Sequence, residues 1–279
     1  MKFKNIYLQW AIYFGVALIC QLLFRDFPTD FFAFPVNAAC ILLGCVSLWI
    51  LFKEKPHSRL SVLLSAPQTT YLLLGILFVS CLTLGFGVGP ATNSWWFVLL
   101  LLALTGHLLY TIYRRMLIHR FRTRFLLVHV GLFLALLGGF AGSADTEEWR
   151  MVVRSDAPGR EAFNKKGEKK ILSRPFRLKS FKAEYYPDGM PQDFEAIVDI
   201  NDKEATIKVN HPHSLSLTDD LYLVDYEHVA KDHQPKYCIL QIVRQPWKYL
   251  QWIGIWMLIS GCMLLFIQGV PNTGNDKKK

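Results

Sequence analysis

The chain has 279 residues, with 31 Lys and Arg against 22 Asp and Glu, a formal charge of +9 and a pI near 9.2. Hydrophobic residues make up 52% of it and charged residues only 19%, where a soluble domain runs nearer ~25% charged. These totals exclude a disordered tail, a collagen-like rod and an ordinary soluble enzyme, and they point to a membrane protein in which the basic excess has to be placed before it is interpreted.

Six apolar runs follow in chain order: Ile6–Phe24, Val36–Phe52, Thr70–Val88, Trp95–Tyr113, Phe125–Gly142 and Tyr249–Gly269. None contains Lys, Arg, Asp or Glu, and they are 17 to 21 residues long. About 20 residues cross a hydrocarbon core. A helix of a soluble protein normally shows a charged face, and these show none, so each predicts a membrane span. The first follows Lys2 and Lys4, as a signal peptide's apolar region would. Its apolar stretch is long for that role and no small-x-small cleavage site follows, so it reads as an uncleaved span.

Between the fifth and sixth runs the text changes. Residues 143–248 hold 17 of the basic residues and 18 of the acidic ones. Short runs alternate there: Phe176–Tyr186, Phe194–Ile200, Ala205–Asn210, Leu221–Glu227 and Tyr237–Arg244. Phe194, Ala196, Val198 and Ile200 fall at period two, as do Ala205, Ile207 and Val209, the mark of half-buried strands. Pro187-Asp188-Gly189, Asn201-Asp202, Asn210-His211-Pro212 and Thr218-Asp219-Asp220 are turn signals between them. Residues 156–171 read as a mobile loop.

Basic residues in short loops mark the cytoplasmic side. Lys2, Lys4, Lys53, Lys55, Arg59, Arg114, Arg115, Arg120, Arg122, Arg124 and Lys277 to Lys279 fall on one side, and Arg25 alone in the short loops of the other. Both termini are therefore expected in the cytoplasm, and residues 143–248 outside it. Trp95, Trp96, Trp247, Tyr249 and Trp252 sit at the outer boundary, as interfacial aromatics do. The predicted fold class is a polytopic α-helical membrane protein of six spans with an inserted, mostly antiparallel β extracytoplasmic domain. Residues 1–69 form two N-terminal spans and a cytoplasmic loop, and 70–142 three core transmembrane helices. Residues 143–248 form the β domain, and 249–279 the last span with a basic tail. The +9 is thus a topology signal, not a nucleic-acid surface.

Of six cysteines, five lie in spans and Cys238 is alone in the inserted domain. No Cys-x-x-Cys occurs, so the chain is neither a c-type cytochrome nor a thioredoxin-like reductant. His57 and His119 fall in loops. His211, His213, His228 and His233 fall in the outer domain, without a carboxylate or Cys at ligand spacing. His107 and His129 lie inside spans, where an ionisable side chain is costly and stands as a functional candidate. His129 is about 7–8 Å in from Arg124 and His107 about 10 Å in from Arg114, at a rise of ~1.5 Å per residue. Both depths are in the cytoplasmic half. Neutral imidazole is a haem-iron ligand; it also hydrogen-bonds neighbouring helices, and chemistry alone leaves both readings open. Gly131, Gly138, Gly139 and Gly142, with Gly254 and Gly261 seven apart in the last span, allow close helix packing.

Several segments resemble the ResB-like (CcsB-like) cytochrome c biogenesis proteins. Trp95-Trp96-Phe97-Val98, with Leu99–Tyr113 and Arg114-Arg115, resembles that family's second core span. Phe125 through Gly139, with His129-Val-Gly131 and Gly138-Gly139, resembles the next. Phe181 through Phe194, with Tyr185-Tyr186-Pro187-Asp188-Gly189, is similar to a segment of its outer domain. So are Val209-Asn210-His211-Pro212 followed by Leu221-Tyr222, and Gln245-Pro246-Trp247 leading into the last span. The resemblance runs from about Thr70 to Gly269.

It implies a membrane subunit of a haem export and haem attachment complex in the bacterial inner membrane. The subunit would work with a CcsA/ResC-like multi-span partner and with apocytochrome c bearing Cys-x-x-Cys-His. It maps the family's transmembrane His onto His129, an axial ligand for haem b held transiently; it maps nothing onto His107, which stays a candidate second ligand on its chemistry and depth alone. The outer domain would dock the partner or the apocytochrome. The partner's Trp-Gly-x-x-Trp-x-Trp-Asp motif is absent and no catalytic acid, base or nucleophile set is visible, so a non-catalytic subunit of the haem-lyase complex is expected. The alternatives are a bis-His b-type membrane cytochrome built on His107 and His129, or a non-redox membrane scaffold.

Overall fold

The computed structural model describes residues 4–88, 92–118, 123–187, 191–227 and 234–268. Lys2, His119, Arg120 and Arg122, the Asp188-Gly189 turn, His228 and His233, and the Lys277–Lys279 tail lie outside the described residues. The chain divides into two units, one of residues 1–144 with 247–279, the other of residues 145–246.

The first unit is helical: α1 (Lys4–Phe24), α2 (Val36–Glu54), a short α3 (Arg59–Ser65), α4 (Pro67–Gly85), α5 (Trp95–Ile118), α6 (Thr123–Gly142) and α7 (Lys248–Gln268). All but α3 are long and apolar enough to cross a membrane. The helix α5 is the hub and touches α1, α2, α3, α4 and α6. Its Leu100, Leu104 and Tyr110 are buried, and the rings of Trp10 and Phe14 of α1 pack with Leu73 of α4 against its N-terminal half.

The helix α7 packs on α6 through glycine. A Cβ on Gly254 would lie 2.7 Å from the Gly131 carbonyl oxygen, and one on Gly131 would lie 2.6 Å from the Leu258 nitrogen. Gly138 meets the Gln251 backbone, Gly142 the Trp247 side chain, and Gly261 the Val128 backbone. Two helices thus touch main chain to main chain, the contact that small residues permit between apolar helices. Gly44 and Gly75, by contrast, have nothing within 4 Å of such a Cβ.

The second unit is one eight-stranded sheet: β1 (Glu147–Arg154), β2 (Gly159–Phe163), β3 (Lys169–Tyr185), β4 (Pro191–Ile200), β5 (Lys203–Lys208), β6 (His213–Ser214), β7 (Asp219–Tyr226) and β8 (Tyr237–Arg244). The order is β5-β4-β3-β2-β1-β8-β7-β6, and every pairing is antiparallel. The sheet curls about a single core. Tyr226 of β7 sits 4.6 Å from the Phe181 ring and 5.3 Å from the Phe194 ring across the interior. Ala196, Val198 and Ile200, with Ala205 and Ile207, point into that core, as their period of two requires. Asn201 and Asp202 join β4 to β5 at φ of 53° and 64°, the pair of left-handed residues a two-residue hairpin needs.

Residues 156–171 depart from the expected loop. They contain β2 and the start of β3, closed by a turn in which the Asn164 side chain accepts from the Lys166 and Glu168 amides. This hairpin buries Ala162 and little else, so no hydrophobic alternation was there to be read. Strand β1 was also unmarked, yet it pairs with β8 residue for residue from Glu147↔Arg244 to Arg154↔Tyr237. All six cysteines are free thiols, and burial pushes the Cys238 thiol up to about 12.

At the edge of this core the Glu147 carboxylate accepts from Lys170 at 2.9 Å and from Trp149 Nε1 at 2.9 Å. The hydrogen bond from Lys170 is the main reason its carboxyl is held below the usual carboxylate range. A depressed folded-state pKa contributes stability above the ordinary Glu value, and that contribution is lost as pH falls through the folded value. Glu147→Gln should therefore destabilise the full chain at neutral pH by under about 1 kcal/mol for so exposed a pair, read as a lower urea midpoint. The gap to the wild type should close on acidification below about pH 4.

Gly254→Leu should separate α7 from α6 and lower the thermal midpoint in detergent, since overpacking costs about 1–3 kcal/mol or more. Gly75→Leu should leave the midpoint unchanged.

Candidate functional site

Helix α3 stops where Pro67 opens α4. The Leu63 carbonyl would take its helical hydrogen bond from residue 67, and proline has no N–H to give. The Thr69 hydroxyl donates to that carbonyl at 2.6 Å, and Trp10 Nε1 donates to the Thr69 oxygen at 3.1 Å. One residue on, the Leu64 carbonyl lies 2.7 Å from His107 Nδ1, and the Thr70 hydroxyl lies 2.8 Å from His107 Nε2. A carbonyl only accepts, so Nδ1 carries the proton and Nε2 accepts from Thr70. His107 is 6% exposed. Both ring nitrogens are engaged, and the imidazole ties α5 to the break between α3 and α4.

His129 is placed differently. It lies two residues from Gly131, about 200° around the helix at 3.6 residues per turn, so it faces away from α7. Leu136, two turns along on the same side, packs with the cluster that α5 organises. Nδ1 of His129 donates to the Phe125 carbonyl at 3.0 Å. Nε2 makes no hydrogen bond among the described residues. A backbone carbonyl on Nδ1 sets the tautomer and leaves the Nε2 lone pair outward, the arrangement in which imidazole meets a metal. As a haem-iron donor His129 fits; His107, with both nitrogens used, does not fit without giving up a bond.

Two further groups join His129 that the linear pattern did not mark. The Phe125 ring stacks on the imidazole, 3.9 Å between centroids at 26°. The Arg115 guanidinium, from the end of α5, lies over the other ring at 5.2 Å from the Phe125 centroid. The spacing of Phe125 and His129 by one helical turn was legible; the arrival of Arg115 from another helix was not. In the β unit, His211 Nδ1 bonds the Val209 carbonyl at 3.2 Å. Among the described residues no three of His, Cys, Asp and Glu come together as a metal site.

The helical unit holds six long apolar helices, an antiparallel β unit is inserted before the last of them, and the imidazole inside α6 keeps one nitrogen without a hydrogen bond among the described residues. Residues 119–234 match the model of the ResB-like family. Over this segment the chain is similar to that family. The match takes in α6 with His129 and β1 through β7. It is narrower than the Thr70–Gly269 resemblance and leaves out α5 with His107 and Arg115. Among solved structures, the cytochrome c heme lyase CcmF aligns with a TM-score of 0.40 and 14% identity, over 93% of this chain and 44% of that one. The chain therefore spans less than half the length of that protein. No curated protein matches the chain.

His107→Leu strands the Leu64 carbonyl and the Thr70 hydroxyl, each costing about 1–3 kcal/mol when buried without a partner. It should lower the thermal midpoint in detergent markedly, while His129→Leu, which strands no buried partner, should leave it nearly unchanged.

Proposed function

We propose that the protein is a membrane subunit of the machinery that assembles c-type cytochromes, holding haem on its way to attachment. The six apolar helices span the bacterial cytoplasmic membrane with both termini inside, and the β unit lies on the periplasmic face. The positive-inside distribution of Lys and Arg supports that orientation. The ResB-like match across residues 119–234 supports the assignment to cytochrome assembly, in keeping with the motifs read from the sequence.

The observation that carries the reading is the open Nε2 of His129, with Nδ1 fixed on the Phe125 carbonyl. In the proposed orientation this nitrogen lies in the cytoplasmic half of the membrane, where haem made inside would be met first. Haem b is cargo here, held transiently, and would supply the iron. The chain's own contribution is to present one imidazole and an apolar surround. The partners are a CcsA/ResC-like multi-span protein, which would bring the Trp-rich segment this chain lacks, and an apocytochrome offering Cys-x-x-Cys-His. The β unit is the docking element for one of them. Within this reading the attachment chemistry belongs to the complex as a whole, and this chain is taken as its non-catalytic subunit.

The bis-His alternative requires His107 to release either the Leu64 carbonyl or the Thr70 hydroxyl, and the scaffold alternative leaves the open imidazole without a role.

The test is the haem content of the full chain purified in detergent, read by its absorption spectrum. His129→Ala should reduce retained haem roughly tenfold or more, a loss of at least 1.4 kcal/mol in affinity. His107→Ala should still bind haem, in a less stable protein. Unchanged haem in His129→Ala, together with normal maturation of c-type cytochromes in cells carrying it, would overturn the proposal. Loss of the spectrum in His107→Ala at unchanged stability would favour the bis-His cytochrome.

A further inference from the structure

We infer that Arg115 receives a carboxylate of the tetrapyrrole, so that haem is held at two points, iron on His129 and propionate on Arg115. This rests on the haem reading above and adds to it the part of the molecule that selects the ligand's charged edge.

Two helices bring three groups together around the Phe125 ring. Arg115 lies over the Phe125 ring at 5.2 Å, and that ring lies on the His129 imidazole at 3.9 Å. Arg115 is exposed and makes no ion pair among the described residues. A basic residue that serves only to mark a membrane boundary extends into water and needs no ordered neighbour. Arg115 instead turns back over an aromatic face. A guanidinium held over a ring keeps N–H donors for other partners, and those donors match a carboxylate bidentately. The residue next to it, Arg114, has no such neighbour within the described contacts, so the stack singles out one arginine of the pair.

Haem has the complementary plan. Its iron is central, its ring is flat and apolar, and its two carboxylates share one edge. With the iron near Nε2 of His129, the apolar ring belongs among apolar side chains, and the carboxylates belong at the end of the helix pair where the basic residues lie. Arg115 lies in the last turn of α5, and Phe125 in the first turn of α6. The Phe125 ring touches both the cation and the imidazole. The Phe125 carbonyl also fixes the imidazole's tautomer, so one residue orients both binding groups.

The inference is separable from the haem reading by esterifying the carboxylates. Full-length protein in detergent is titrated with haem and with haem dimethyl ester. The wild type should bind haem about tenfold more tightly than the ester, the size of one charge-assisted contact near a boundary. Arg115→Gln should bind both equally, with the wild-type affinity for the ester. Arg115→Lys, which keeps the charge without the fork, should retain part of the preference. Equal binding of both ligands by the wild type overturns the role of Arg115 while leaving His129 in place. So does an Arg115→Gln variant that weakens both ligands alike, which would mark a structural residue. Failure of the wild type to bind either ligand, or undiminished ester binding by His129→Ala, overturns the haem reading itself and this inference with it.

Discussion

The contact on which the rest depends is the seam where α6 and α7 touch through backbone atoms. Gly131, Gly138 and Gly142 commit one face of α6 to α7, and Gly254 and Gly261 commit the facing side of α7. No side chain larger than hydrogen fits at the closest points, so the seam sets the rotation of α6 about its own axis. His129, nearly opposite Gly131, is thereby turned toward α5 and Arg115. The same seam closes the chain around its insertion. Gly142 meets Trp247, which brings the two ends of the inserted segment together. Within the β unit the first and last long strands, β1 and β8, are neighbours over their whole length.

The two intrahelical histidines show why a costly residue in an apolar helix is only a pointer. In both, an ionisable group inside an apolar helix points to a purpose. For His107 the purpose is to satisfy a helix break. Pro67 removes a donor, the chain turns, and the carbonyls at the end of α3 take side-chain donors from Thr69 and His107. Nothing in the spacing of His107 from Leu64 or Thr70 could announce this, because the partners lie 43 and 37 residues away in sequence. For His129 the partner is the Phe125 carbonyl one turn back, a local relation, and the second nitrogen is left open.

The β unit divides along the same line. Strands that bury a full alternating row, β4 and β5 above all, could be read from Ala196, Val198, Ile200, Ala205 and Ile207. Strands that bury one small residue could not. Ala162 is fully buried in β2, but a single alanine between Glu161 and Phe163 carries no period. Strand β1 buries Met151 and Val153, and its length comes from pairing with β8, an association across roughly the whole inserted segment.

What the sequence determined alone is what local chemistry dictates. Six uncharged runs have the length of a hydrocarbon core, the basic residues collect in one set of loops, the inserted segment has a strand period, and an imidazole stands a few residues inside α6. These follow from transfer free energies and from the repeat of a helix or a strand, and they need no knowledge of neighbours. Which of two histidines keeps a free nitrogen, which arginine lies beside it, and where a polar hairpin joins the sheet were decided by tertiary structure. Each depends on hydrogen bonds and close contacts between segments far apart in the chain. Such contacts are set by how helices rotate and strands register against one another, which residue types along a single line do not encode.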